Sequence, residues 1–404
     1  GSEMCIRDSL YTNDVHTYID NKSPKPTYAA IAALKKSIED TGRDVLLVDA
    51  GDHIQGTAYG SMDDGATIIE LMNEAGYDIA TLGNHEFDYG MARAKAIIKE
   101  ADFPYVSCNW VDLRTGLRVL PAVKLFPAGG KWIAFVGITT PESFTKSTPA
   151  YFMNAKQTKY IYDILGGDDG RKLYDAVQKA IDKAKTLGAD IIIGLGHLGV
   201  DPSSSPWTSE EVIANTTGFD AFIDGHSHTV MEKGDNNEPI QSTGTAFENV
   251  GVIVIDNATK KIEKNMLVKV TEDSAKDEAV AKAAQDITDA INAEYGAVFA
   301  KSEVELNGDR SYSSKTDLYG NRDGETNLGD LITDSMVWSV KKTGGVTVDE
   351  KNIVAVTNGG GIRAAIKAGD VTKKDVNTVL PFGNTIAVVY VTGAELLEAL
   401  EAST

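Results

Sequence analysis

Short apolar runs alternate with amphipathic stretches along residues 10–270 of the chain. The runs are rich in valine and isoleucine, as in VLLVDA, WIAFVGI, ADIIIGL and NVGVIVI, and their continuous apolar character is typical of buried strands. Between the runs, apolar residues recur at helical spacing; Ile31, Leu34 and Ile38, for example, share one face of a predicted helix. This alternation of strands and helices predicts an α/β fold built in layers.

The pattern changes after residue 272, where the sequence becomes charged and rich in alanine. Residues 273–300 keep apolar residues at helical spacing, namely Val280, Ala284, Ile287 and Ile291. We predict that this segment forms one long linker helix, which joins two domains and belongs to the core of neither.

A second α/β unit is predicted over residues 301–404, with a helix near 327–341 and strands at 352–357 and 385–391. The chain ends in the helical sequence GAELLEALEAST, and no strand follows it. Because helices in an α/β layer need neighbouring strands to cover, we expect this second unit to be truncated.

The length of the chain supports this division. Its 404 residues exceed the roughly 250–300 at which a single hydrophobic core stops growing, so we expect at least two domains and place the first over residues 10–272. The opening GSEMCIRDS begins with Gly-Ser, which is typical of a cloning remnant, and it interrupts the apolar pattern. We therefore predict that residues 1–9 are an artefactual leader.

Composition narrows the choice of partners. The net charge is −20, from 39 Lys and Arg against 59 Asp and Glu, which argues against a nucleic-acid partner. A small anionic substrate remains compatible with this charge if bound metal ions reverse the local field. No apolar run reaches the roughly 18 residues that a transmembrane segment needs. The two cysteines, Cys5 and Cys108, are too few for a disulfide framework.

The six histidines lie in five short polar or glycine-rich segments, each of which follows an apolar run. The segments are TNDVH (12–16), AGDHIQG (50–56), LGNHEFD (82–88), LGHLG (195–199) and DGHSH (224–228). Ligands bind α/β sheets beyond the carboxyl ends of the strands, and glycine lets the backbone turn sharply there. The pattern therefore predicts a single site assembled from five loops.

The chemistry of these side chains indicates a metal centre. Imidazole, carboxylate and amide groups together suit borderline divalent ions such as Zn²⁺, Mn²⁺ or Co²⁺. Each motif alone is a weak signal, but the ordered set supplies the roughly seven ligands that two ions with a shared carboxylate need. The candidate ligands are Asp14, His16, Asp52, Asn84, His197, His226 and His228. His53 lies outside this set, and we expect it to form local hydrogen bonds.

The ordered motifs D-x-H, GD, GNHE, GH and GHSH resemble those of the calcineurin-like metallophosphoesterase superfamily. The sequences LYTNDVH and GNHEFD are similar to its 5′-nucleotidase branch, which includes periplasmic UDP-sugar hydrolases and surface ecto-5′-nucleotidases. The resemblance implies a four-layer αββα metallophosphoesterase sandwich, followed by an α/β nucleotidase C-terminal domain that is truncated in this chain.

The resemblance also implies two ligand sets that share one carboxylate. The first set comprises Asp14, His16, Asp52 and His228. The second set comprises Asp52, Asn84, His197 and His226. His85 matches the catalytic histidine of the family and Asp88 its acidic partner. The implied reaction is attack by a metal-activated water, with His85 stabilising charge on the phosphate or the leaving oxygen.

Three segments of the second unit resemble the nucleoside-binding domain of the same family: GNRDGETNLGDL, VTNGGGIRAA and LPFGN. The implied substrate-binding residues are Arg322, Asn358, Gly360, Arg363, Phe382 and Asn384. On this resemblance, the two arginines face the phosphate and ribose, the two asparagines bond the nucleoside, and Phe382 stacks on the base.

The resemblance implies a secreted, periplasmic or cell-surface hydrolase that removes phosphate from nucleoside 5′-monophosphates. Within the superfamily, the alternatives are a 2′,3′-cyclic nucleotide phosphodiesterase and a UDP-sugar hydrolase. A thiosulfate-ester hydrolase shares the two-domain plan, but the arginines and the PFGN sequence favour nucleotides. From a different class, a surface adhesin with a decayed catalytic site is the alternative, and the complete ligand set counts against it.

Overall fold

The computed structural model describes residues 6–19, 25–256 and 258–403. Contacts between residues divide the chain into two units: Gly1–Phe299 with Thr372–Thr378, and Ala300–Val371 with Val379–Thr404. None of the helices in the described ranges combines the length and the apolar character needed to span a bilayer.

The first unit contains most of the regular structure. Its strands are β1 (Ile6–Thr12), β2 (Val45–Asp49), β3 (Ile79–Ala80), β4 (Trp110–Asp112), β5 (Leu117–Arg118), β6 (Val123–Ala128), β7 (Lys131–Thr139), β8 (Tyr162–Ile164), β9 (Ile191–His197), β10 (Ala221–Ile223), β11 (Val230–Met231), β12 (Ile240–Thr243), β13 (Asn249–Asp256) and β14 (Ile262–Lys269). Its helices are α1 (Thr27–Glu39), α2 (Ala58–Ser61), α3 (Ala66–Ala75), α4 (Met91–Glu100), α5 (Ser143–Lys146), α6 (Arg171–Thr186), α7 (Ser209–Ala214) and α8 (Glu278–Tyr295).

Two mixed sheets form the centre of this unit. The five-stranded sheet has the order β14-β13-β1-β2-β3, in which β1 runs parallel to β2 and antiparallel to β13. The six-stranded sheet has the order β11-β12-β10-β9-β7-β6, in which β7, β9, β10 and β12 are parallel. A three-stranded sheet has the order β5-β4-β8.

Alternating side chains of the two large sheets build the core. Leu46 and Val48 of β2 share a buried cluster with Phe135 of β7 and Ile193 of β9, so the inner faces of the sheets pack together. The outer faces pack on α1 and α3 in one sheet and on α6 in the other. This arrangement of helix, sheet, sheet and helix layers confirms the predicted αββα sandwich.

Strand β1 extends into the start of the chain. That residues 1–9 are artefactual stays a prediction. The strand begins at Ile6, inside the segment that we predicted to be an artefactual leader, and Ser9 pairs with both Leu46 and Ile253. The polar residue Asp8 is accommodated because its carboxylate accepts a hydrogen bond of 2.6 Å from Arg43. Residues 1–5 lie outside the described residues.

Helix α8 corrects the predicted linker over residues 273–300. Val280 and Ile291 are buried in the same cluster as α1 and α3, so the helix belongs to the core of the first unit. The physical reason is its amphipathic pattern, because an apolar stripe in water is stabilised only by packing on another element. A backbone bond from Asp277 to Ala29 O, 2.9 Å long, fixes the start of the helix.

The remaining elements are β15 (Val298–Ser302), α9 (Asn327–Thr343), β16 (Gly369–Thr372), α10 (Lys373–Val379) and α11 (Gly393–Glu401), of which α10 is grouped mainly with the first unit. Strands β15 and β16 pair with each other, and the helix predicted near 327–341 is confirmed as α9. The strands predicted at 352–357 and 385–391 are wrong, because neither segment pairs with a neighbouring strand in the described chain. Apolar character alone did not produce a strand there.

Candidate metal centre

The five histidine-bearing loops leave their strands at the carboxyl ends, as the sequence predicted. Asp14 and His16 follow β1, Asp52 follows β2, and Asn84 follows β3 in a short 3₁₀ helix, Asn84–Phe87. His197 ends β9, and His226 and His228 follow β10. The two sheets of the sandwich therefore contribute to one centre.

The first group of donor atoms comes from Asp14, His16 and His228, whose ligand atoms lie within 4.8 Å of one another. The Nε2 atoms of His16 and His228 are 3.1 Å apart, and His228 Nε2 is 3.4 Å from Asp14 Oδ1. Two imidazole nitrogens and a carboxylate oxygen that face one another in this way form a cradle for a borderline divalent cation.

The second group comprises Asp52, His197 and His226, again with ligand atoms within 4.8 Å of one another. Asp52 Oδ2 is 3.0 Å from His197 Nε2 and 4.0 Å from His16 Nε2. Asp52 therefore lies between the two groups, as a carboxylate that bridges two ions must.

Backbone carbonyls determine the tautomers of two of the histidine rings. His16 Nδ1 lies 2.9 Å from Gln55 O, and His197 Nδ1 lies 2.7 Å from Ala50 O. A carbonyl oxygen only accepts hydrogen bonds, so each Nδ1 carries the hydrogen and each Nε2 presents a lone pair. Backbone carbonyls on the non-ligating nitrogen are the usual support of metal-bound histidine.

Two unpartnered oxygens show that the donor set fits a cation. Asp14 Oδ1 and Asn84 Oδ1 are buried, and no group in the described part of the chain donates a hydrogen bond to either. A buried acceptor without a donor is costly, and a divalent ion would remove that cost. Glycine at position 83 lets the Asp52 carboxylate lie against the backbone of the Asn84 loop, because a Cβ there would lie 2.1 Å from Asp52 Oδ1.

Five of the candidate ligands have a left-handed backbone conformation. Positive φ angles occur at Asp14 (50°), His16 (48°), Asp52 (59°), His226 (80°) and His228 (54°). Left-handed backbone is uncommon for residues other than glycine and clusters at functional sites. The loops are thus held in conformations that serve the placement of side chains.

Electrostatics at the centre favour charged carboxylates. Burial alone would raise the pKa of the Asp14 carboxyl, but His197 and His228 lower that pKa to about 2. Burial opposes the neighbouring histidines in the same way at Asp52, and the pKa of Asp52 falls well below its usual value. Both side chains are therefore available as anionic ligands at neutral pH.

His85 and Asp88 form a hydrogen-bonded pair beside this centre. His85 Nδ1 lies 2.5 Å from Asp88 Oδ2, and the backbone N–H of His85 donates to Asp52 Oδ1 at 2.9 Å. The other ring nitrogen, Nε2, is 4.0 Å from Asp52 Oδ2. With His16 and Asp52, His85 also forms a third group of possible ligand atoms. Its place suits a group that donates a proton or a hydrogen bond to a bound phosphate.

Glu86 is a residue that the sequence reasoning quoted within GNHE but gave no role. Its fully buried carboxylate accepts hydrogen bonds from the backbone N–H groups of Gly83 (2.6 Å), Asp52 (2.7 Å) and His53 (2.7 Å). Glu86 thereby ties the loop of Asp52 to the loop of Asn84. Its position in the motif was the signal that could have identified it.

His53 has the local role that we expected. Its Nδ1 lies 2.7 Å from Asp49 Oδ1 and its Nε2 lies 2.8 Å from the Tyr105 hydroxyl, so neither nitrogen is free to bind a metal. Burial would lower the pKa of His53, but Glu86 and Asp49 raise it to about 9. The His53 ring thus stabilises the loop that carries Asp52.

In the second unit, the predicted substrate-binding residues lie around one glycine-rich turn. Arg363 Nη1 donates to Gly360 O at 3.3 Å, and the Arg363 guanidinium lies 5.8 Å from the centre of the Phe382 ring. A Cβ at Gly360 would lie 3.3 Å from Arg322 Nη2 and 3.2 Å from Asn358 Nδ2. Glycine at this position therefore leaves room for an arginine and an asparagine to approach the turn.

The sixth candidate, Asn384, lies two residues beyond Phe382 and donates its backbone N–H to Phe382 O at 2.8 Å. The side chains of Arg322, Asn358 and Asn384 are exposed, while Phe382 is half-buried. The structure thus brings Arg363 close to Phe382, places Arg322 and Asn358 beside Gly360, and leaves polar groups at the surface of the second unit.

Two families match the chain. Residues 10–230, more than half of the chain, match the calcineurin-like phosphoesterases, and residues 298–404 match the 5′-nucleotidase C-terminal domain. The second match coincides with the unit that carries Arg363 and Phe382. The first coincides with the αββα sandwich and its metal centre.

Individual proteins are similar over nearly the whole chain. The chain is 29% identical to the trifunctional nucleotide phosphoesterase protein YfkN of Bacillus subtilis, over 97% of this chain and 27% of that protein. It is 28% identical to the 5′-nucleotidase of Homo sapiens, over 98% of this chain and 71% of that protein. The crystal structure of the 5′-nucleotidase precursor from Thermus thermophilus aligns with a TM-score of 0.78 at 26% identity, over 98% of this chain and 78% of that chain. The chain thus spans less than a third of the Bacillus relative.

Proposed function

Because the chain belongs to the calcineurin-like phosphoesterase family and continues into a 5′-nucleotidase C-terminal domain, we propose that it removes phosphate from nucleoside 5′-monophosphates. The observation that carries this proposal is the pair of ligand groups around Asp52, with His85 and Asp88 beside them. A decayed binding module is not supported, because such a site would have lost donor atoms that converge here.

The proposed cofactors are two divalent ions, with Zn²⁺, Mn²⁺ and Co²⁺ as the candidates that the imidazole and carboxylate donors suit. When bound, two such ions polarise a phosphate and lower the pKa of a water toward neutrality. Asp52 would hold both ions. The first would also take Asp14, His16 and His228, and the second would also take Asn84, His197 and His226.

His85 would act on the phosphate through Nε2, because its Nδ1 is engaged by Asp88. The carboxylate of Asp88 fixes the orientation of the ring. A positioned donor of this kind stabilises the negative charge that develops on phosphoryl oxygens or on the leaving oxygen.

The second unit would recognise the nucleoside. Arg322 and Arg363 would face the phosphate and ribose, Asn358 and Asn384 would bond the nucleoside, and the ring of Phe382 would stack on the base. Gly360 would keep the turn open for these side chains, as its neighbours Arg322 and Asn358 indicate. We propose a secreted, periplasmic or cell-surface location, on the strength of the family, and fractionation of cells would test it.

The decisive experiment incubates metal-reconstituted protein with AMP, 2′,3′-cyclic AMP, UDP-glucose and p-nitrophenyl phosphate and identifies the products. Product analysis is needed because opening the cyclic diester or cleaving the pyrophosphate bond yields phosphate monoesters and no free phosphate. We expect AMP to have the highest kcat/KM, and chelator-treated protein to be inactive. A preference for the cyclic or the sugar nucleotide would redirect the proposal to the phosphodiesterase or UDP-sugar hydrolase alternative. Protein that holds two ions and hydrolyses none of these compounds would contradict it.

A further inference from the structure

One short turn after β7 touches both the metal centre and the His85–Asp88 pair, although neither of its contact residues belongs to a histidine motif. The turn contains α5 and is fixed by its own bonds: Ser143 Oγ donates to Thr140 O at 2.7 Å, and Glu142 N donates to Thr140 Oγ1 at 3.1 Å. The ring of Phe144 packs 4.7 Å from that of Phe152. The turn is thus a rigid part of the first unit.

Glu142 precedes α5 and holds one of the candidate ligands. Glu142 Oε2 lies 2.7 Å from His226 Nε2 and accepts a second bond of 2.7 Å from Ser204 Oγ. The backbone of the same histidine is fixed separately, since His226 N donates to Asp14 Oδ2 at 2.9 Å. The side chain of Glu142 is nearly buried, so water competes little for the contact.

This contact determines which nitrogen of His226 can bind a metal. A carboxylate accepts hydrogen bonds, so His226 Nε2 carries the hydrogen and Nδ1 presents the lone pair. The choice is opposite to that of His16 and His197, whose Nδ1 atoms face backbone carbonyls. Without Glu142, neither the tautomer nor the orientation of the His226 ring would be fixed by this contact.

Ser147 follows α5 and reaches the other functional group. Ser147 Oγ donates to Asp88 Oδ1 at 2.7 Å, while Asp88 Oδ2 lies 2.5 Å from His85 Nδ1. Both oxygens of Asp88 are therefore occupied, which prevents the carboxylate from rotating away from the histidine. The six residues from Glu142 to Ser147 span the distance between the ligand His226 and the pair His85–Asp88.

We propose that Glu142 and Ser147 are positioning residues on one turn, with Glu142 presenting His226 Nδ1 to a metal ion and Ser147 holding Asp88 against His85. This inference rests on the proposed function for the role of His85, but the role of Glu142 in metal binding does not depend on the substrate. The turn would fix the position of His226 relative to the His85–Asp88 pair, because Glu142 and Ser147 belong to the same segment.

The test of Glu142 measures metal binding, by metal content per chain and by competition between a chelator and Mn²⁺. We expect Glu142→Ala to weaken one of the two ions by about 10- to 100-fold. Glu142→Gln, which keeps an acceptor oxygen but no charge, should weaken it less, and it serves as the second variant if the alanine protein folds poorly. Glu100→Gln, at a surface ion pair with Arg93, is the matched control. Wild-type affinity for both ions in both Glu142 variants would overturn the inference, whatever the activity.

The tautomer gives an independent readout. In ¹⁵N spectra of the metal-loaded protein, we expect His226 to carry its hydrogen on Nε2, and the Nε2–H signal to disappear in Glu142→Ala. An Nδ1–H signal from His226 in the wild-type protein would overturn the assignment of Nδ1 as the ligand atom.

The test of Ser147 separates positioning from folding. Ser147→Ala should lower kcat about tenfold, since it removes a bond to a charged group, while KM and the content of both ions stay at wild-type values. Ser147→Thr should restore most of kcat, and Ser37→Ala, which removes an exposed hydroxyl on α1, is the control. An unchanged kcat in Ser147→Ala would overturn this half. A wild-type protein that binds two ions without releasing phosphate would instead contradict the proposed function and leave the Glu142 result standing.

Discussion

Sequences of similar apolar character have different structures in the two units of the chain. In the first unit, Ile191, Ile193 and Leu195 of β9 are fully buried between parallel neighbours. In the second unit, Val388 and Val389 are 52% and 75% exposed and belong to no strand. Runs of β-branched residues become strands only where other strands supply hydrogen bonds and a sheet supplies a face to pack on.

This difference extends to the functional residues. The candidate metal ligands lie in loops whose backbone is held by buried polar groups, as Glu86 holds the loops of Gly83 and Asp52. The candidate nucleoside-binding residues are exposed or half-buried, and Arg363 donates a hydrogen bond to the backbone of Gly360. We therefore expect changes in the first unit to affect the chemical step and changes in the second to affect substrate binding.

The largest effect should follow from loss of the Asp52 carboxylate, which we propose to hold both ions. Asp52→Ala should abolish phosphate release and leave the protein unable to hold two ions, because the Asp52 carboxylate belongs to the group with His197 and His226 and lies 4.0 Å from His16 of the other group. Metal content per chain and phosphate release are the measurements, with chelation and readdition of Mn²⁺, Co²⁺ or Zn²⁺ to wild-type protein as the reference. Asp112→Ala, at a surface ion pair with Arg114, is the control. Two ions per chain in Asp52→Ala would show that the ligand assignment is incorrect.

His85→Ala should come next, with a loss in kcat of about 10² to 10⁴, the usual range for a positioned proton donor or charge-stabilising group. Metal content should stay near that of the wild-type protein, because Nδ1 of His85 faces Asp88. Loss of an ion from this variant would instead place His85 among the ligands, in the group that it forms with His16 and Asp52.

Phe382→Ala tests the expectation that changes in the second unit affect substrate binding. Stacking on a base contributes about 1–3 kcal/mol equally in the ground and transition states, so KM for AMP should rise roughly 5- to 150-fold while kcat changes little. p-Nitrophenyl phosphate lacks a nucleobase and should be hydrolysed almost as well as by the wild-type protein. Equal losses on both substrates would point to a role for Phe382 in folding.

The smallest effect should be on stability. Val388→Ala should change the free energy of unfolding by less than about 0.5 kcal/mol, because the side chain is mainly exposed. Ile193→Ala, in the core between the sheets, should cost about 2–5 kcal/mol. Denaturant unfolding followed by circular dichroism compares them. A cost above about 2 kcal/mol for Val388→Ala would mean that this segment has a packing partner in solution.

Local sequence was sufficient to predict the chemistry of the centre. Ligand types, loop glycines and the apolar runs before them are properties of short segments, so DGHSH or GNHE could be interpreted before any fold was known. The helix near residue 327 was also predictable, because amphipathic spacing is a local property. Glu86 was visible in its motif, but its hydrogen bonds to a second loop were not.

The amino-acid sequence by itself determined the alternation of strands and helices, the acidic charge and the types of side chain that converge at the candidate metal centre. Only the tertiary structure decided which residues support them, since Glu142 reaches His226 from 84 positions away in the chain. It also decided that α8 packs on the first core and that residues near 354 and 388 stay outside any sheet. Such outcomes depend on which partner segment lies opposite in space, and pairing between distant segments leaves no local pattern in the chain.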